Sequence, residues 1–206
     1  MSKRIKEIAS FIMPYKSVAD IGTDHGYLLL EAFNLGINFA QAIDNKVGPL
    51  NSAKNNLKHY NHKIEFSLSD GLEDLNPKID VVVLSGMGGS LIASILSKNI
   101  GKLKNVKRII IQPNRNIDKV REFAIEANYK ITQEKIIEEE AIYYEIIVLE
   151  KGSAKYTKAE ITFGPYLLKE KNELFIKKWT DYYMHLKSLN LDENLEIIKL
   201  IESHII

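Results

Sequence analysis

Three aspartates accompany three successive apolar stretches of the chain, and their side chains could bind the polar groups of a nucleotide-like ligand. Asp20 lies in Val18–Ile21, Asp44 ends "FAQAID", and Asp70 precedes Gly71 after the third stretch. An acidic side chain at the second position can accept hydrogen bonds from both hydroxyls of a ribose. An aspartate at the third position can accept from an adenine amino group, and the glycine beside it permits a turn.

The stretch "VADIGTDHGY" carries two glycines, Gly22 and Gly26, after a short apolar run, which is typical of a nucleotide-binding turn. Asp24 occupies the position where a dinucleotide-binding turn has a further glycine, and its charge would repel a pyrophosphate. A ligand with an amino-acid tail offers an ammonium group, which Asp20 or Asp24 could bind. Together with the other two aspartates, the stretch therefore favours a ligand with an ammonium, a ribose and an adenine, which describes S-adenosylmethionine.

The segments after the fourth and fifth apolar runs contain the candidate acceptor residues. In Ser85-Gly-Met-Gly-Gly89 the glycines let the backbone approach a flat ligand, and the amides can donate hydrogen bonds. Two side-chain amides flank a proline after the fifth run, and amides can bind the edge of an adenine. Asp24 and His25 could orient the base. We therefore expect four catalytic residues, namely Asp24, His25, Gln112 and Asn114.

Each of these motifs also has a purely structural interpretation. The glycine turn could be an ordinary strand–helix connection, Asp44 could be an N-cap, and Asp70-Gly71 is also a common turn. Likewise Ser85–Gly89 could be a flexible turn, Asn114 could cap the following helix, and His25 could be structural. Their occurrence in this order after successive apolar stretches favours a cofactor site. The predicted cofactor-binding residues are Asp20, Gly22, Gly26, Tyr27, Asp44, Asn45, Asp70, Gly71, Ser85, Gly86, Met87 and Gly88.

Apolar strands alternate with amphipathic helices over the first 150 residues, which predicts an α/β fold. Runs such as "VVVL" and "IIIQ" are typical of parallel strands buried on both faces. Because only "EEEAIY" separates the last two strands, these two must pair antiparallel. Five parallel strands and a final hairpin indicate a Rossmann-like class I methyltransferase whose seven-stranded sheet has an antiparallel last strand. The predicted strands are Ser17–Ile21, Phe39–Ile43, Ile64–Leu68, Ile79–Leu84, Arg108–Gln112, Lys130–Ile137 and Tyr143–Glu150, and the predicted helices are Tyr27–Leu35, Gly48–Tyr60, Gly89–Ser97 and Ile117–Asn128.

The pattern changes after residue 153, so we predict a cofactor-binding domain over residues 1–153 and a helical domain over residues 154–206. Apolar and aromatic residues repeat there at 4-3 spacing, which predicts a seam for a second helix. Residues 190–193, Asn-Leu-Asp-Glu, predict a break with an N-cap and a capping-box glutamate. We expect an antiparallel, coiled-coil hairpin with Leu168, Asn172, Phe175, Trp179, Tyr182, Leu186 and Leu189 on its first helix and Leu195, Ile198, Ile201 and Ile205 on its second.

Several of these segments resemble the bacterial tRNA (adenine(22)-N(1))-methyltransferase family, TrmK. They are "VADIGTDHGYL", "AIDNKVGPLNSAKNNL", "SDGL", "VVLSGMGGSLIASIL" and "IIIQPN", which follow one another over roughly residues 1–150. "SGMGG" and "QPN" are the most family-specific of them, and the tail resembles the family's coiled-coil domain in architecture. The resemblance implies S-adenosylmethionine as methyl donor and N1 of an adenine in the tRNA D-arm as acceptor.

Two other functions stay open at this point. One is a methyltransferase that acts on a small molecule or a protein, and the other is a non-catalytic RNA-binding protein on the same fold. The glycine-rich acceptor segment and the helical module favour a large planar substrate over a small molecule. Retention of Asp20, Asp44 and Asp70 argues against a protein that has lost its cofactor.

Composition limits the partners. The chain has no cysteine and a formal net charge of +1, so a thiolate metal site is excluded and RNA would have to be bound by local basic patches. No metal is expected. No apolar run reaches the length of a signal core or a membrane span, which predicts a cytoplasmic protein, and we expect a monomer. The predicted RNA-binding residues are Lys3, Arg4, Arg115, Lys119 and Lys177, with Lys6, Arg121, Lys169, Lys171 and Lys178 as further basic candidates.

Overall fold

The structure, a computed structural model, describes residues 2–189 and 191–206, apart from the side chain of Glu193. Strands and helices alternate up to residue 151, and helices follow. The strands are β1 (Ser17–Ile21), β2 (Phe39–Asp44), β3 (Ile64–Leu68), β4 (Val81–Gly88), β5 (Arg108–Arg115), β6 (Tyr129–Glu139) and β7 (Ile142–Lys151). The helices are α1 (Lys3–Ser10), α2 (Tyr27–Asn34), α3 (Val47–Asn56), α4 (Gly89–Lys98), α5 (Ile117–Glu126), α6 (Lys158–Phe163), α7 (Pro165–Glu170), α8 (Glu173–Leu189) and α9 (Leu195–His204), with 3-10 turns at Lys58–Lys63, Ile100–Asn105 and Asp192–Asn194.

The sheet has seven strands in the order β3-β2-β1-β4-β5-β7-β6. Strands β1 to β5 pair in parallel, whereas β7 pairs antiparallel with both β5 and β6. The predicted Rossmann-like α/β fold with an antiparallel last strand is therefore confirmed. The strand order reverses between β1 and β4, and in open α/β sheets ligands bind at the carboxyl ends of the strands beside such a reversal.

The central strands are buried on both faces because helices cover each side of the sheet. In β4, Val81 and Val83 pack with Ile8 of α1 and Leu29 of α2, whereas Val82 packs on the opposite side with residues of α4 and α5. Alternate side chains thus enter two different apolar layers, which explains why this strand is apolar at successive positions. The helices hold the strand ends of the site in place from both sides.

Two predicted loops are in fact strand. β4 continues to Gly88 and β5 continues to Arg115, and the two remain paired through register shifts between Ser85, Met87 and Gly88. The interpretation of Ser85–Gly89 as a flexible turn is therefore wrong. Such shifts accommodate the missing N–H of Pro113 because the ladder is already interrupted there. The acceptor segments consequently lie on paired strand ends, which restricts their movement.

The tail contains four helices in its described part, not the two of the predicted hairpin. Gly164 adopts φ +93° and separates α6 from α7, which Pro165 begins. Asn172 precedes α8 and accepts a hydrogen bond from the backbone N–H of Phe175. It therefore caps α8 and interrupts the predicted seam between Leu168 and Phe175. Helices α8 and α9 do pack together through Leu186, Ile198 and Ile201. Of the predicted break, Asn190 and the side chain of Glu193 lie outside the described residues.

A buried ionic cluster joins the tail to the sheet. Arg121 of α5 is 0% exposed and forms ion pairs with Glu134 of β6 (2.9 Å) and Glu145 of β7 (2.6 Å). Its guanidinium also donates to the carbonyl oxygens of Ile161 and Thr162 in α6. Arg121 is thus inaccessible to RNA, and its candidacy as an RNA-binding residue is wrong. The predicted domain boundary at residues 153 and 154 stays a prediction, although this cluster crosses it.

Candidate functional site

Two adjoining cavities open at the carboxyl ends of β1, β2 and β4. The first, here called the β2-side cavity, has a volume of about 340 Å³ and is lined by Asp44 and Asp70. The second, called the β5-side cavity, has a volume of about 410 Å³ and is lined by Asp20 and Asn114. Gly22, Asp24 and Met87 line both cavities, so a single elongated ligand could occupy the two. This is the place where the fold favours a nucleotide-like ligand.

The turn between β1 and α2 depends on left-handed backbone conformations. Gly22 has φ +72°, and a Cβ added there would come within 2.4 Å of the Met87 Cε atom. Gly26 has φ +71° and directly precedes α2. Because it lines neither cavity, it contributes to the backbone conformation of the turn and not to the cavity wall. Asp24 also adopts a left-handed conformation, with φ +51°, which aspartate tolerates better than most residues. The missing third glycine therefore costs the turn little.

Asp20 is the buried carboxylate of the site, with 3% of its surface exposed. It accepts a hydrogen bond from Thr23 Oγ1 at 2.9 Å. Burial is the main cause that raises the pKa of Asp20, to about 7. The nearby charges of Asp44 and Asp24 contribute to this rise, and the Thr23 hydrogen bond opposes it. An ammonium bound in the β5-side cavity would relieve this unfavourable burial of negative charge.

Asp44 lies at the end of β2 and is held by the backbone. Its Oδ1 accepts from the N–H of Lys46 at 2.9 Å, and its Oδ2 accepts from the N–H of Asp24 at 3.4 Å. Only 8% of its surface is exposed, and that surface faces the β2-side cavity, which the exposed Asn45 also lines. The carboxylate is thus fixed in one orientation and has further lone pairs for a ligand.

The third aspartate differs from the other two. The side chain of Asp70 is 65% exposed and lies 3.5 Å from the ammonium of Lys98. Gly71 beside it adopts φ +57°, as the predicted turn requires. Ser69 was not among the site residues predicted from the sequence, but it lines the β2-side cavity together with Asp70. Its buried hydroxyl has no hydrogen-bond partner among the described residues. A buried polar group in this position fits a ligand that would supply the partner.

The glycines of the β4 end have different surroundings. Ser85, Gly86 and Met87 line the β5-side cavity, and Gly86 has φ +77°. Gly88 lines neither cavity, because a Cβ added there would face Arg115 Nε at 3.3 Å. A Cβ on Gly89 would lie 2.0 Å from the carbonyl oxygen of Asn116, so close backbone packing requires that glycine. Of the three glycines, only Gly86 is placed to approach a ligand.

The predicted catalytic residues separate into two groups. Asp24 and His25 lie at the mouth of the β5-side cavity, with 3.6 Å between Asp24 Oδ1 and His25 Nε2, and the His25 ring lies 5.6 Å from the ring of Tyr27. Asn114 also lines this cavity, whereas Gln112 is 0% exposed behind it. Gln112 cannot contact a base directly from this position, because its whole side chain is covered.

Of the five residues predicted to bind RNA, Arg4 lies apart from the others. It lines the β5-side cavity, donates a hydrogen bond to Gln112, and its guanidinium lies 5.1 Å from the Tyr144 ring centroid. The sequence could not have revealed this contact, because α1 and β5 are far apart along the chain. Lys119 pairs with Glu122 at 2.6 Å and Lys177 pairs with Glu138 at 3.2 Å, both on the surface, while Lys3 and Arg115 are exposed.

Residues 18–203 match the family described as tRNA (adenine(22)-N(1))-methyltransferase, TrmK. The tRNA (adenine(22)-N(1))-methyltransferase of Bacillus subtilis is 37% identical to this chain over 200 residues, which cover 92% of this chain and 84% of that protein. The chain belongs to this family. The family resemblance predicted from the quoted segments is confirmed, and it extends beyond them into the tail.

Solved structures of relatives in this family have the same fold over the whole chain. A Streptococcus pneumoniae protein in complex with S-adenosyl-L-methionine is 35% identical, with a TM-score of 0.94 and coverage of 100% of both chains. M. capricolum TrmK in complex with S-adenosyl-homocysteine is 30% identical, with a TM-score of 0.83 and coverage of 100% of this chain and 94% of that one. These matches include the tail helices as well as the sheet.

No group of three or more His, Cys, Asp or Glu side chains in residues 2–189 and 191–206 is arranged to hold a metal ion. In the same part of the chain, no helix is both long enough and apolar enough to cross a membrane.

Proposed function

We propose that this chain transfers a methyl group from S-adenosylmethionine to N1 of an adenine in tRNA, and that the adenine is number 22 in the D-arm. The observation that carries the proposal is the pair of adjoining cavities beside the β1–β4 reversal in a chain that belongs to this family. The enzyme class and the methyl donor predicted from the sequence agree with that family membership and are confirmed.

The β2-side cavity is proposed to hold the adenosine part of the donor. Asp44 would accept from the two ribose hydroxyls, and Asp70 with Ser69 would bind the polar edge of the adenine. Asn45 and Gly71 complete the wall of this cavity. The bound donor supplies an activated methyl group on a sulfonium, and the protein supplies binding and orientation.

The β5-side cavity is proposed to hold the methionine part of the donor and the acceptor base. Asp20 would bind the ammonium, since it is the buried carboxylate of that cavity. Gly22, Tyr27, Ser85, Gly86 and Met87 would line the methionine, while Gly26 and Gly88 contribute through backbone conformation and packing. The donor would therefore span both cavities across the wall formed by Gly22, Asp24 and Met87.

This role of Asp20 predicts that donor binding depends on pH. With a pKa of about 7 in the free protein, Asp20 is mostly protonated at pH 6 and mostly ionised at pH 8. Because the ammonium binds the ionised form, the dissociation constant should be about tenfold higher at pH 6 than at pH 8. Calorimetric titration with S-adenosylmethionine across this range measures the effect. Asp20→Asn should bind weakly with a flat profile, and a wild-type profile that is equally flat would contradict the role.

The same pKa has a consequence for stability without ligand. The pKa of Asp20 rises from 3.8 to about 7 on folding. Between pH 3.8 and about pH 7 the folded protein therefore keeps a proton on Asp20 that the unfolded chain has lost. Ionised Asp20 therefore costs stability as the pH rises through this interval, and the whole cost is present above pH 7. A bound ammonium would offset it, which makes ligand stabilisation larger at pH 8 than at pH 6.

The chemical step requires little from the protein beyond positioning. The N1 lone pair of adenine would form a bond to the methyl carbon while the S–CH₃ bond on the opposite side breaks and its electron pair stays on sulfur, so that S-adenosylhomocysteine leaves. No strong base is required for this step, and orientation and desolvation dominate. Because N1 is blocked in a base pair, the adenine must be unpaired or flipped into the cavity. Asp24 and His25 are proposed to orient the base at the cavity mouth, where both are partly exposed.

The tRNA is proposed to cross the surface between Arg115 and the tail. Arg115 directly follows Asn114 at the end of β5, and it lines a third cavity of about 710 Å³. Residues of β7, α5, α8 and α9 also line this cavity, and Tyr143 and Tyr182 are among them. Aromatic and basic side chains of this kind can stack on bases and bind phosphates. Lys3, Lys119 and Lys177 are proposed as peripheral contacts, because exposed pairs such as Lys119–Glu122 are weak and can exchange partners.

We also propose that the protein is cytoplasmic and monomeric. Its cofactor domain would comprise residues 1–153 and its helical domain residues 154–206. A tRNA substrate favours the cytoplasm, and the absence of cysteine from the chain is compatible with a reducing compartment. The position of both cavities within one chain supports the proposal of a monomer.

A methyl-transfer assay on unmodified tRNA, followed by nucleoside analysis, tests the proposed function. We expect 1-methyladenosine as the product, at position 22, and no product from a tRNA with guanine at that position. A different methylated nucleoside would contradict the proposed chemistry. Donor binding without any methylated tRNA would favour a small-molecule or protein acceptor, and the absence of donor binding would favour a non-catalytic RNA-binding protein.

A further inference from the structure

A chain of hydrogen bonds connects α1 with the wall of the β5-side cavity. Arg4 Nη1 donates to Gln112 Oε1 at 2.6 Å, and Gln112 Nε2 donates to Asn114 Oδ1 at 3.0 Å. Asn114 Nδ2 in turn donates to the carbonyl oxygen of Gly86 at 2.8 Å. Gln112 is buried behind the cavity wall, whereas Arg4 and Asn114 both line the cavity, and Asn114 is the exposed member of the chain. The chain therefore ends where an acceptor base would lie.

The chemistry of Arg4 sets the direction of every bond in this chain. A guanidinium group only donates hydrogen bonds, so Gln112 must turn its oxygen toward Arg4 and its NH₂ group toward Asn114. Asn114 must then accept at Oδ1 and donate from Nδ2. The carbonyl of Gly86, which only accepts, imposes the same orientation from the other end. The oxygen and nitrogen of the Asn114 amide are consequently not interchangeable, although the two ends of an amide have nearly the same shape.

α1 is itself held against the sheet, so Arg4 has a defined position. The hydroxyl of Ser2 donates to Glu139 Oε2 at 2.7 Å at the end of β6, and Glu7 pairs with Lys135 at 2.6 Å. The Ser2 hydrogen bond, with further help from the backbone N–H groups of α1, lowers the pKa of Glu139, so this carboxyl stays ionised at neutral pH. The Tyr144 ring supports the guanidinium from a second side.

Asn114 retains hydrogen-bonding capacity beyond this chain. One lone pair on Oδ1 and one proton on Nδ2 are left after the bonds to Gln112 and Gly86. An amide that offers one acceptor and one donor matches the N6 amino group and N7 of adenine, which is how asparagine reads adenine in nucleic acids. N1 is not part of this pairing, so its lone pair stays free to attack the methyl group.

We propose that Asn114 binds the N6–N7 edge of the acceptor adenine, and that Arg4 and Gln112 are positioning residues which fix the orientation of its amide. This inference rests on the proposed function. Guanine carries a carbonyl oxygen in place of the N6 amino group, which would face the oxygen of Asn114. The same fixed orientation therefore selects adenine over guanine. Arg4 acts on the acceptor through Gln112, not by contacting a phosphate.

A tRNA with 7-deazaadenosine at the acceptor position tests this inference directly. This base has a C–H group in place of N7 but keeps the nucleophilic N1 and the N6 amino group. Wild-type protein should methylate it with a kcat/KM about tenfold below that for adenosine, the value of one hydrogen bond in a bidentate pair. Asn114→Ala should be slow on both substrates, and its two kcat/KM values should agree within about twofold, because this variant has no amide that could contact N7.

Gln112→Glu separates positioning from packing. Glutamate is nearly isosteric with glutamine and still accepts from Arg4, but at neutral pH it cannot donate to Asn114. We expect kcat to fall about tenfold or more and the preference for adenosine over 7-deazaadenosine to disappear. Arg4→Lys, which retains a donor, should keep the preference, and Arg4→Met should lose it. The dissociation constant for S-adenosylmethionine serves as the control and should change little in Gln112→Glu. Circular dichroism at the assay temperature confirms that each variant is folded, since a buried carboxylate is expected to lower the thermal midpoint.

The outcomes distinguish the inference from the function on which it rests. If wild-type protein methylates 7-deazaadenosine and adenosine equally well, Asn114 does not bind N7 and the inference is overturned, while the methyltransferase activity stands. If adenosine tRNA is not methylated at all, the proposed function itself fails. A Gln112→Glu protein that retains the full preference for N7 would remove Arg4 and Gln112 from the positioning role.

Discussion

Replacing Arg121 with methionine should lower the free energy of unfolding by about 3–5 kcal/mol, the usual cost of leaving a buried charge without its partner. Arg121 is 0% exposed and sits between Glu134 and Glu145, whose side chains are 0% and 1% exposed. Methionine fills a similar volume, so the loss comes from two carboxylates that keep their burial and lose their common cation. Urea unfolding followed by circular dichroism measures the difference.

The two carboxylates should respond differently. Burial opposes the ionisation of both, and at Glu134 it prevails over Arg121 and raises the pKa. At Glu145 burial is outweighed by Lys178 and Arg121, and the pKa is lowered. Glu145 thus contributes stability at neutral pH that is lost as the pH falls through its folded-state pKa, whereas Glu134 costs stability above its unfolded-state pKa. The Arg121→Met variant should therefore lose less stability, relative to wild type, at acidic pH.

Lys119→Met is the matched control on the same helix. Lys119 also pairs with a glutamate, Glu122, but its side chain is 47% exposed, so its loss should cost far less stability than the loss of Arg121. Adding Glu134→Gln and Glu145→Gln to Arg121→Met should recover part of the lost stability, because the uncompensated charges are then gone. Equal destabilisation by Arg121→Met and Lys119→Met would show that the cluster contributes no more than a surface pair.

The cluster also affects how the tail should be tested. Removing the residues from about 156 onward is the simplest test of whether the tail binds tRNA. That deletion would remove the carbonyl groups of Ile161 and Thr162 that Arg121 uses, and the N–H of Tyr166 that donates to Glu134. Lost tRNA binding after such a deletion would therefore not separate recognition from stability. Substitutions at exposed tail residues such as Lys177 or Tyr182 avoid this problem.

Replacing Asp44 with alanine should raise the dissociation constant for S-adenosylmethionine by roughly 10- to 150-fold, the equivalent of about 1.5–3 kcal/mol for a hydrogen-bonded charged group. Asp44 is nearly buried, and the backbone N–H groups of Asp24 and Lys46 hold its carboxylate at the β2-side cavity. Such a fixed group loses little side-chain entropy when it binds the ribose. Calorimetric titration with the donor measures the constant directly.

Three further variants test whether the effect of Asp44→Ala is specific to the proposed ribose contact. Asp44→Asn keeps one of the two oxygen acceptors but removes the charge and the other acceptor, so its effect should lie between those of wild type and Asp44→Ala. Asp74, which is exposed and outside both cavities, supplies the control, and Asp74→Ala should leave the constant unchanged. Asp70→Ala should have a smaller effect than Asp44→Ala, because Asp70 is mostly exposed and paired with Lys98. Unaltered donor binding in Asp44→Ala would show that another group binds the ribose.

The strands and the meeting of three aspartates at their ends were predictable because their signals are local. Ser17–Ile21 and Ile64–Leu68 were predicted with the bounds that the structure shows, since apolar runs between turn residues mark strands directly. Asp20, Asp44 and Asp70 each follow from a strand end. Parallel strands place such ends at one edge of the sheet whatever the detailed packing, so all three line the two adjoining cavities.

The tail was less predictable because its signals conflict. The 4-3 spacing from Leu168 to Leu189 crosses a helix boundary, since the chain leaves α7 at Lys171, with φ +48°, and Asn172 caps the next helix. Tyr182 and Leu189 stay largely exposed, so the repeat does not form one continuous seam. Spacing alone cannot show that a helix is interrupted when the interrupting residues are themselves tolerated within helices.

The sequence by itself determined the sheet, its antiparallel last strand and the three aspartates that line the two cavities, because each depends on contacts between near neighbours or on the common direction of parallel strands. Only the tertiary structure decided that Arg4 fixes Asn114 through Gln112, that Arg121 is an internal ion and not an RNA contact, and that Asp20 has a pKa of about 7. These properties depend on which distant segments pack together and on how completely they exclude water, and no local pattern of residues encodes either one.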